Sequence, residues 1–200
     1  EAGFMEDFTR VAPAMPLFEA GFNALAHGAL VSTPRGHVAV EDLVPGMMID
    51  TVTGGPARLR WIGAMTLVPD APNRGVPDRL YRVVADSLGF ARPAVDVTLG
   101  PGARLLDRSP EVCRRLGTEA ALVPVQARAD GEAIIEIAPV SALRVYHLSF
   151  DQHHVINVGG LEVESFHPGP DAVYSLSDEM REQFVALFPH KRGLQDFGRM

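Results

Sequence analysis

Residues 24–36 read ALAHGALVSTPRG, and they contain a short apolar run, a turn and the approach to a second apolar run. The turn is Thr33-Pro34-Arg35-Gly36, in which proline fixes one backbone angle and glycine tolerates conformations that other residues avoid. Two short apolar runs separated by such a turn are typical of a β-hairpin. The stretch therefore predicts two antiparallel strands.

The same alternation of short apolar runs and turns continues through most of the chain. Gly54-Gly55 separates two further runs, and Gly159-Gly160 predicts a tight hairpin. Residues 64–79 contain three prolines and are expected to form a long surface loop. The strand-like runs are residues 29–32, 37–40, 57–62, 65–68, 80–84, 95–99, 103–106, 133–137, 143–150, 155–158 and 161–163. Many short runs with frequent turns predict an all-β domain.

Length and composition agree with one domain that has a sizeable core. Of the 200 residues, 46% are hydrophobic and 22% are charged, and a chain of this size buries about 70% of its surface on folding. No run approaches the ~18 apolar residues of a membrane span. The first twenty residues lack the basic start and apolar stretch of a secretory signal. We therefore expect no membrane association and no leader, and the sequence does not define a compartment.

Charge and cysteine content exclude several kinds of partner and cofactor. The net charge is −7, and the 18 basic residues are scattered, which argues against nucleic acid as a partner. The single cysteine, Cys113, excludes an internal disulfide and a metal site of cysteines alone, and we expect it unpaired beside a short helix. No glycine-rich stretch has phosphate-binding form, and there is no Gly-x-Ser-x-Gly elbow. We expect no cofactor.

In the last thirty residues the apolar residues recur with a different spacing from that of the strand-like runs. Leu176, Met180, Phe184 and Leu187 recur with the spacing of one helix face. Ser177 is a suitable N-cap with two acidic residues after it, and Pro189 is expected to end the helix. The pattern predicts a C-terminal helix packed on the β domain, and the alternative is a helix that binds a partner.

The densest polar cluster lies at residues 146–154, YHLSFDQHH. In a continuous strand one face would carry polar side chains, and the other face would enter the core. The polar face would consist of His147, Ser149, Asp151 and His153, and the core face of Tyr146, Leu148 and Phe150. Two imidazoles and a carboxylate on one face are what general acid–base catalysis or a metal site requires. Asp-Gln-His-His also resembles a turn, which would break this alignment.

The remaining histidines give weaker signals. His27, His37 and His190 are most simply surface residues. His167 follows Glu164-Ser165-Phe166 on a turn that could lie near the polar cluster.

Three segments near the start of the chain occur in a fixed order: ALAHGALVSTPRG at residues 24–36, VEDLVPG at 40–46 and RWIG at 60–63. Taken together, they resemble the opening of bacterial Hint (hedgehog/intein) domains. The cluster at 146–153 with Glu164-Ser165-Phe166 resembles the closing motif of that family. The resemblance spans residues 24–169. It implies a compact, disc-like all-β fold with pseudo-twofold symmetry, followed here by the C-terminal helix.

Active members of that family cut their own chain. The resemblance implies that a cysteine at the first position of the domain attacks the preceding carbonyl, with help from an internal histidine and later from the closing motif. This chemistry requires sulfur or oxygen on the Cβ of the first residue.

In this chain the first position is Ala24, and the family's internal histidine falls on Ala103. Gly100 stands at the serine of the family's LSPQHRVL stretch, and Met47 stands at the aspartate of its Gly-Asp turn. Ala24 alone would resemble an engineered substitution, whereas the pair of alanines favours natural loss. The resemblance therefore implies an inactive site formed by Ala24, Ala103, His147, Asp151 and His153.

Three classes of function remain open. The first is a Hint-fold module that does not cleave itself and has a structural or binding role with a protein partner or a second copy. The second is residual processing or hydrolysis, in which His147 or His153 activates water and Asp151 orients the imidazole. The third is a metal- or ligand-binding module built on His147, Asp151, His153 and His154, although no fourth ligand is fixed by spacing. The expected organisation is a lead-in at residues 1–22, the Hint-like domain at 23–170 and the helical segment at 171–200.

Overall fold

The computed structural model describes residues 18–19, 21–69, 79–169 and 176–198. Its strands are β1 (Leu25–Ala26), β2 (Leu30–Thr33), β3 (Gly36–Ala39), β4 (Met48–Ile49), β5 (Ala57–Leu67), β6 (Leu80–Val83), β7 (Val97–Leu99), β8 (Arg104–Asp107), β9 (Ala121–Pro124), β10 (Ile134–Ile137), β11 (Leu143–Phe150), β12 (Val155–Val158) and β13 (Leu161–Glu164). The helices are α1 (Pro110–Leu116) and α2 (Asp178–Val185), with 3-10 turns at Val40–Asp42, Val125–Arg128 and Leu194–Phe197. The predicted all-β class is confirmed.

The strands form two antiparallel sheets. One has the order β10-β6-β7-β1-β11-β5-β4, and the other has the order β3-β2-β12-β13-β8-β9. Leu25 in β1 pairs with Tyr146 in β11 on one side and with Leu99 in β7 on the other. The two-residue strand β1 therefore occupies the middle of the larger sheet, and its side chains lie in the core.

The predicted turns are observed, and one predicted loop is partly wrong. Thr33 Oγ1 donates to the Gly36 carbonyl at 2.7 Å, which closes the first hairpin. Gly159-Gly160 connects β12 to β13. The segment predicted as a loop from residue 64 continues as strand β5 to Leu67, because it pairs with β11 through Leu143. Residues 70–78 of that predicted loop lie outside the described residues.

The C-terminal helix prediction is confirmed. Ser177 Oγ accepts from Met180 N at 3.3 Å, so the predicted N-cap is formed. Leu176, Phe184 and Leu187 are buried on one face. The helix ends at Val185, before it reaches the proline that was expected to end it. Within the described residues, no helix has the length and apolar composition to cross a membrane.

Helix α2 packs into an aromatic cluster that is separate from the main core. The rings of Phe166 and Phe188 are stacked with centroids 5.0 Å apart, and Trp61 in β5 lies 4.4 Å from Phe188. Phe18, upstream of β1, meets Phe184 edge-on at 5.5 Å. The cluster consists of Phe18, Phe22, Trp61, Phe166, Phe184, Phe188 and Phe197. It joins the residues before β1, the long strand β5 and the C-terminal segment.

Lys191 fixes the C-terminal segment to the end of β11. Its ammonium group donates to the carbonyl oxygens of Asp151 and Asp196, both at 2.7 Å, and lies 5.1 Å from the centre of the Phe197 ring. The residue is buried, so this cation is held by carbonyl dipoles and an aromatic face. Burial, as the largest effect, lowers the pKa of Lys191.

Truncation of the central ring of this cluster should destabilise the protein. Phe188 is 1% exposed, and its ring contacts those of Trp61, Phe166, Phe184 and Phe197. We expect Phe188→Ala to lower the free energy of unfolding by about 3–5 kcal/mol, as measured by urea denaturation. Val140→Ala is the control, because Val140 is 98% exposed and should change the same quantity by less than about 0.5 kcal/mol. Equal effects for both variants would contradict this account of the cluster.

Candidate functional site

Ala24 lies immediately before β1, between β7 and β11. If the register of β1 is continued by one residue, Ala24 falls opposite His147 on one side and Gly100 on the other. Its amide donates to the Tyr146 carbonyl, and its own carbonyl accepts from Gly100 N, both at 2.9 Å. The residue is completely buried. The backbone on both sides of its methyl group is thus held by hydrogen bonds.

The peptide bond before Ala24 is also fixed in place. The Asn23 carbonyl accepts from Gly102 N at 3.2 Å. A Cβ at Gly100 would lie 1.8 Å from that carbonyl oxygen, so only glycine permits this close approach. Among the described residues, nothing bonds to the buried Oδ1 of Asn23.

Ala103 is the second alanine of the expected site. It is buried immediately before β8 and lines a cavity of about 190 Å³, together with His147, Glu164 and Phe166. Ala103 and His147 thus line the same cavity, and Ala24 lies in the same core cluster as Ala103, with its amide bonded to the neighbour of His147, Tyr146. Neither alanine offers a group that can attack a carbonyl or transfer a proton.

His147 is buried and uncharged. Its Nδ1 accepts from Leu148 N at 3.1 Å, and its ring meets Phe166 edge-on at 5.3 Å. Burial, with a smaller contribution from the Arg104 cation, lowers the pKa of His147 to about 3. Because Nδ1 is the acceptor, the proton of the neutral ring is assigned to Nε2. The residue can donate a hydrogen bond, but it is a weak base.

Asp151 does not share a face with His147. The continuous strand that would align them is not formed, and the chain bends after Phe150, as the alternative of a break at Asp-Gln-His-His predicted. The pairing of β11 with β5 shifts register between Ser149 and Phe150, and β11 ends there. Both carboxylate oxygens of Asp151 accept from Arg60 Nε, at 2.9 and 3.0 Å, on the protein surface. Among the described contacts, no imidazole is oriented by this carboxylate.

His153 instead pairs with Glu164, a buried carboxylate to which the sequence pattern assigned no separate role. His153 Nε2 lies 2.8 Å from Glu164 Oε1, and Arg104 Nη1 lies 3.3 Å from Glu164 Oε2. Two side chains thus satisfy the two oxygens of a carboxylate that is 4% exposed. His167 does lie near the polar cluster, with its ring 5.1 Å from that of His153. Burial, as the largest effect, lowers the pKa of His167.

His190 is not the surface residue that the sequence predicted. Its Nε2 lies 3.2 Å from the hydroxyl oxygen of Ser149, and burial lowers its pKa to about 4. Ser149 itself is buried. The two residues are 41 positions apart and give no sequence signal for this contact, which depends on docking of the C-terminal segment.

The four residues considered for a metal site are not brought together. His147 faces the small cavity, Asp151 faces Arg60, and His153 is held by Glu164. His154 lies edge-on against Phe150 with a pKa lowered mainly by burial. In the part of the chain that the structure describes, no three His, Cys, Asp or Glu residues have an arrangement that could hold a metal ion.

Comparison with known proteins identifies the family. The family model described as the Hint domain matches residues 23–170, which is most of the chain. The chain belongs to the Hint domain family. No curated protein matches it.

Solved structures of similar fold are inteins and intein-like domains. A splicing-inactive variant of the AceL NrdHF class 3 split intein has a TM-score of 0.48 and 11% identity, covering 72% of this chain and 97% of its own. The bacterial intein-like domain from Clostridium thermocellum has a TM-score of 0.47 and 11% identity, covering 72% and 99%.

The buried neutral state of His147 predicts a pH-dependent stability. Its pKa is about 3 in the folded protein against an ordinary value of 6.5, so between these values the unfolded chain binds a proton that the folded chain does not. Stability should therefore fall as the pH drops below about 6.5. From pH 7 to pH 5 this residue should account for a loss of about 2 kcal/mol.

The measurement is urea denaturation of the wild type and of His147→Gln at several pH values. Other titrating groups are common to both proteins, so the difference between the two pH profiles isolates the contribution of His147. We expect a flatter profile for the variant. Parallel profiles would show that the imidazole is not buried in its neutral form.

Proposed function

We propose that this chain is a Hint-family domain that does not cleave itself and that has a structural or binding role. The observation that carries the proposal is the pair Ala24 and Ala103, which the resemblance aligns with the attacking cysteine and the assisting histidine. Both are buried within the same core, 0% and 1% exposed. An acyl shift needs a lone pair on the Cβ substituent of the first residue, and a methyl group has none.

The packing upstream of Ala24 supports the same proposal. Phe18 and Phe22 precede the bond that a cleaving domain would cut, and both contact the aromatic cluster through Phe184 and Trp61. Residues on the upstream side of this bond are thus part of the folded protein. This arrangement suits a chain that stays whole.

Residual hydrolysis by the polar cluster has less support. The proposed orienting carboxylate of Asp151 is engaged by Arg60, and the low pKa of His147 makes it a poor general base at neutral pH. His153 is engaged by Glu164. The contacts of Asp151 and His153 suit a structural role at the end of β11.

We further propose the division into a lead-in at residues 1–22, a Hint domain at 23–170 and a docked helical segment at 171–200. The burial of Phe18 supports a lead-in that is anchored at its end. The apolar face of α2 is covered by the aromatic cluster, so it is a weak candidate for partner binding.

The decisive experiment compares the intact mass of the native chain with that of Ala24→Cys/Ala103→His. The cavity of about 190 Å³ beside Ala103 provides space for the imidazole. We expect the native chain to stay whole and the double variant to cleave before residue 24, most readily with an added thiol that resolves the thioester. Each single variant is a control, and Ala103→His alone should stay whole.

Two outcomes would contradict parts of the proposal. Cleavage of the native chain before Ala24 would overturn the claim that the domain does not cleave itself. If the double variant also stays whole, the loss of activity is not confined to these two positions, and the expectation that Ala24 and Ala103 alone account for it is wrong.

A further inference from the structure

Residues 187–198, which we call the C-terminal strap, are joined to the β domain by a histidine at each end. At one end His190 Nε2 lies 3.2 Å from the hydroxyl oxygen of Ser149 in β11. At the other end His167, which follows β13, donates from Nε2 to the Gly198 carbonyl at 3.0 Å. Two titratable groups therefore take part in the contact between the strap and the sheets.

The hydrogen bonds of His167 require a neutral imidazole. Its Nδ1 accepts from Gly169 N at 3.0 Å, while its Nε2 donates to the Gly198 carbonyl. A neutral ring has one acceptor and one donor, and both are used here. A second proton would turn Nδ1 into a donor that faces another donor, the amide of Gly169. Protonation of His167 therefore removes a hydrogen bond and adds a repulsion beside the end of the strap.

Burial is the largest effect on His167 and lowers its pKa, and the charges around the ring do not reverse this shift. Glu164 and the Gly198 carbonyl favour a charged ring. The two oxygens of Glu164, however, are already engaged by His153 and Arg104. These two groups oppose a further positive charge, and the ring of His153 lies 5.1 Å from that of His167.

His190, at the other end of the strap, is also held in its neutral form. Its Nδ1 atom is buried and has no hydrogen-bond partner among the described residues. A proton on this nitrogen would be a buried donor without an acceptor, whereas water would accept it once the strap is released. The Ser149 hydroxyl suits Nε2 in either state, because a hydroxyl both donates and accepts. The penalty for charging His190 therefore lies at Nδ1.

Burial lowers the pKa of His190 to about 4, and the charges around this ring do not restore it. The Lys191 ammonium group and the Arg60 guanidinium in β5 oppose a charged ring. The Asp151 carboxylate and the Phe150 carbonyl favour it. Both oxygens of that carboxylate, however, accept from Arg60, so its charge is largely compensated.

We propose that the strap is a pH-sensitive cover, which docks when His167 and His190 are neutral and is released from the sheets when they take up protons. Release would expose rings that the strap now covers, among them Trp61 and Phe166 through their contacts with Phe188. The aromatic surface beside the site would thus be covered at neutral pH and open in acid. The proposal does not depend on whether the domain cleaves itself.

The direction of the pH effect is set by where protons bind. Once the strap is released, the two rings take up protons below their ordinary pKa of 6.5, which the docked rings do not. Docking therefore weakens as the pH falls below about 6.5. For His190 alone we expect docking to weaken about tenfold from pH 7 to pH 5, a value reduced for the partial exposure of its ring. Acid does not weaken the Lys191 contacts, because it favours the charged ammonium group.

The fluorescence of Trp61 tests the proposal, because it is the only tryptophan of the chain. Its ring lies 4.4 Å from that of Phe188 and should enter water on release, which shifts the emission to longer wavelength. We expect this shift when the full chain is titrated from about pH 8 to about pH 4.5, at a higher pH than any loss of the far-UV circular dichroism of the sheets. An emission that stays constant, or that changes only together with the sheets, overturns the proposal.

His190→Gln and His167→Gln each remove one titrating group and keep a side-chain amide that can form hydrogen bonds. Each variant should shift its emission at a pH lower by at least about 0.5 unit than the wild type. His37→Gln is the matched control, because His37 is exposed on β3 and should leave the titration unchanged. Release at the wild-type pH in both histidine variants overturns the proposal, as does an equal shift in His37→Gln.

A measurement on the wild type covers the case in which a variant does not dock even at neutral pH. The Cε1 proton signals of His167 and His190 in nuclear magnetic resonance spectra should titrate over the same pH range as the emission shift. If the emission shifts while both rings stay neutral, the release has another cause and the proposal is wrong.

Discussion

The backbone hydrogen bonds of the two-residue strand β1 hold the larger sheet together. This strand lies between β7 and β11, so it joins the block β10-β6-β7 to the block β11-β5-β4. Its position depends on Gly100, where any side chain would collide with the Asn23 carbonyl. The peptide bond before Ala24 is therefore fixed by Tyr146 in β11 and by Gly102 in the turn between β7 and β8. A reactive group at position 24 would act on a carbonyl that the sheet itself has oriented.

The aromatic cluster packs the first and last described segments of the chain against the sheet that β1 holds together. Phe18 and Phe22 lie before the central strand, Trp61 lies in β5, and Phe188 and Phe197 follow α2. Phe166 connects the cluster to His147, because its ring meets the imidazole edge-on. The C-terminal segment thus covers the same region that β1 organises, and the stability of the site is coupled to the docking of α2.

Local patterns in the sequence were sufficient for much of this architecture. The turn at Thr33–Gly36, the hairpin at Gly159-Gly160 and the face of α2 each depend on residues that are close in sequence. The grouping of Ala24, Ala103 and His147 in one site came from the resemblance and not from a local pattern. The turns and the helix face depend on residues that are close together in sequence, so a local pattern is enough to predict them. The site grouping depended on a recognisable motif.

The errors arose where distant contacts decide the outcome. Alternation along a continuous strand would place Asp151 on the face of His147, whereas the break that the sequence also allowed is what forms. The sequence did not reveal that Asp151 then contacts Arg60, 91 residues away. The sequence did not predict a separate role for Glu164. Its partners His153 and Arg104 lie in other elements, so no local pattern reveals these contacts. The low pKa of His147 follows from three-dimensional burial, which alternation along a strand does not reveal.

The same burial explains the composition of the site under the proposed function. A polar group without a partner in such a place costs about 1–3 kcal/mol of stability, which a cleaving domain accepts in order to react. Methyl groups at Ala24 and Ala103 remove that cost. The carboxylate of Glu164 has two partners, and the Nδ1 atom of His147 has one. Under the proposed function, the two methyl groups leave no polar atom of their own unsatisfied, whereas the buried Oδ1 of Asn23 beside Ala24 has no partner among the described residues.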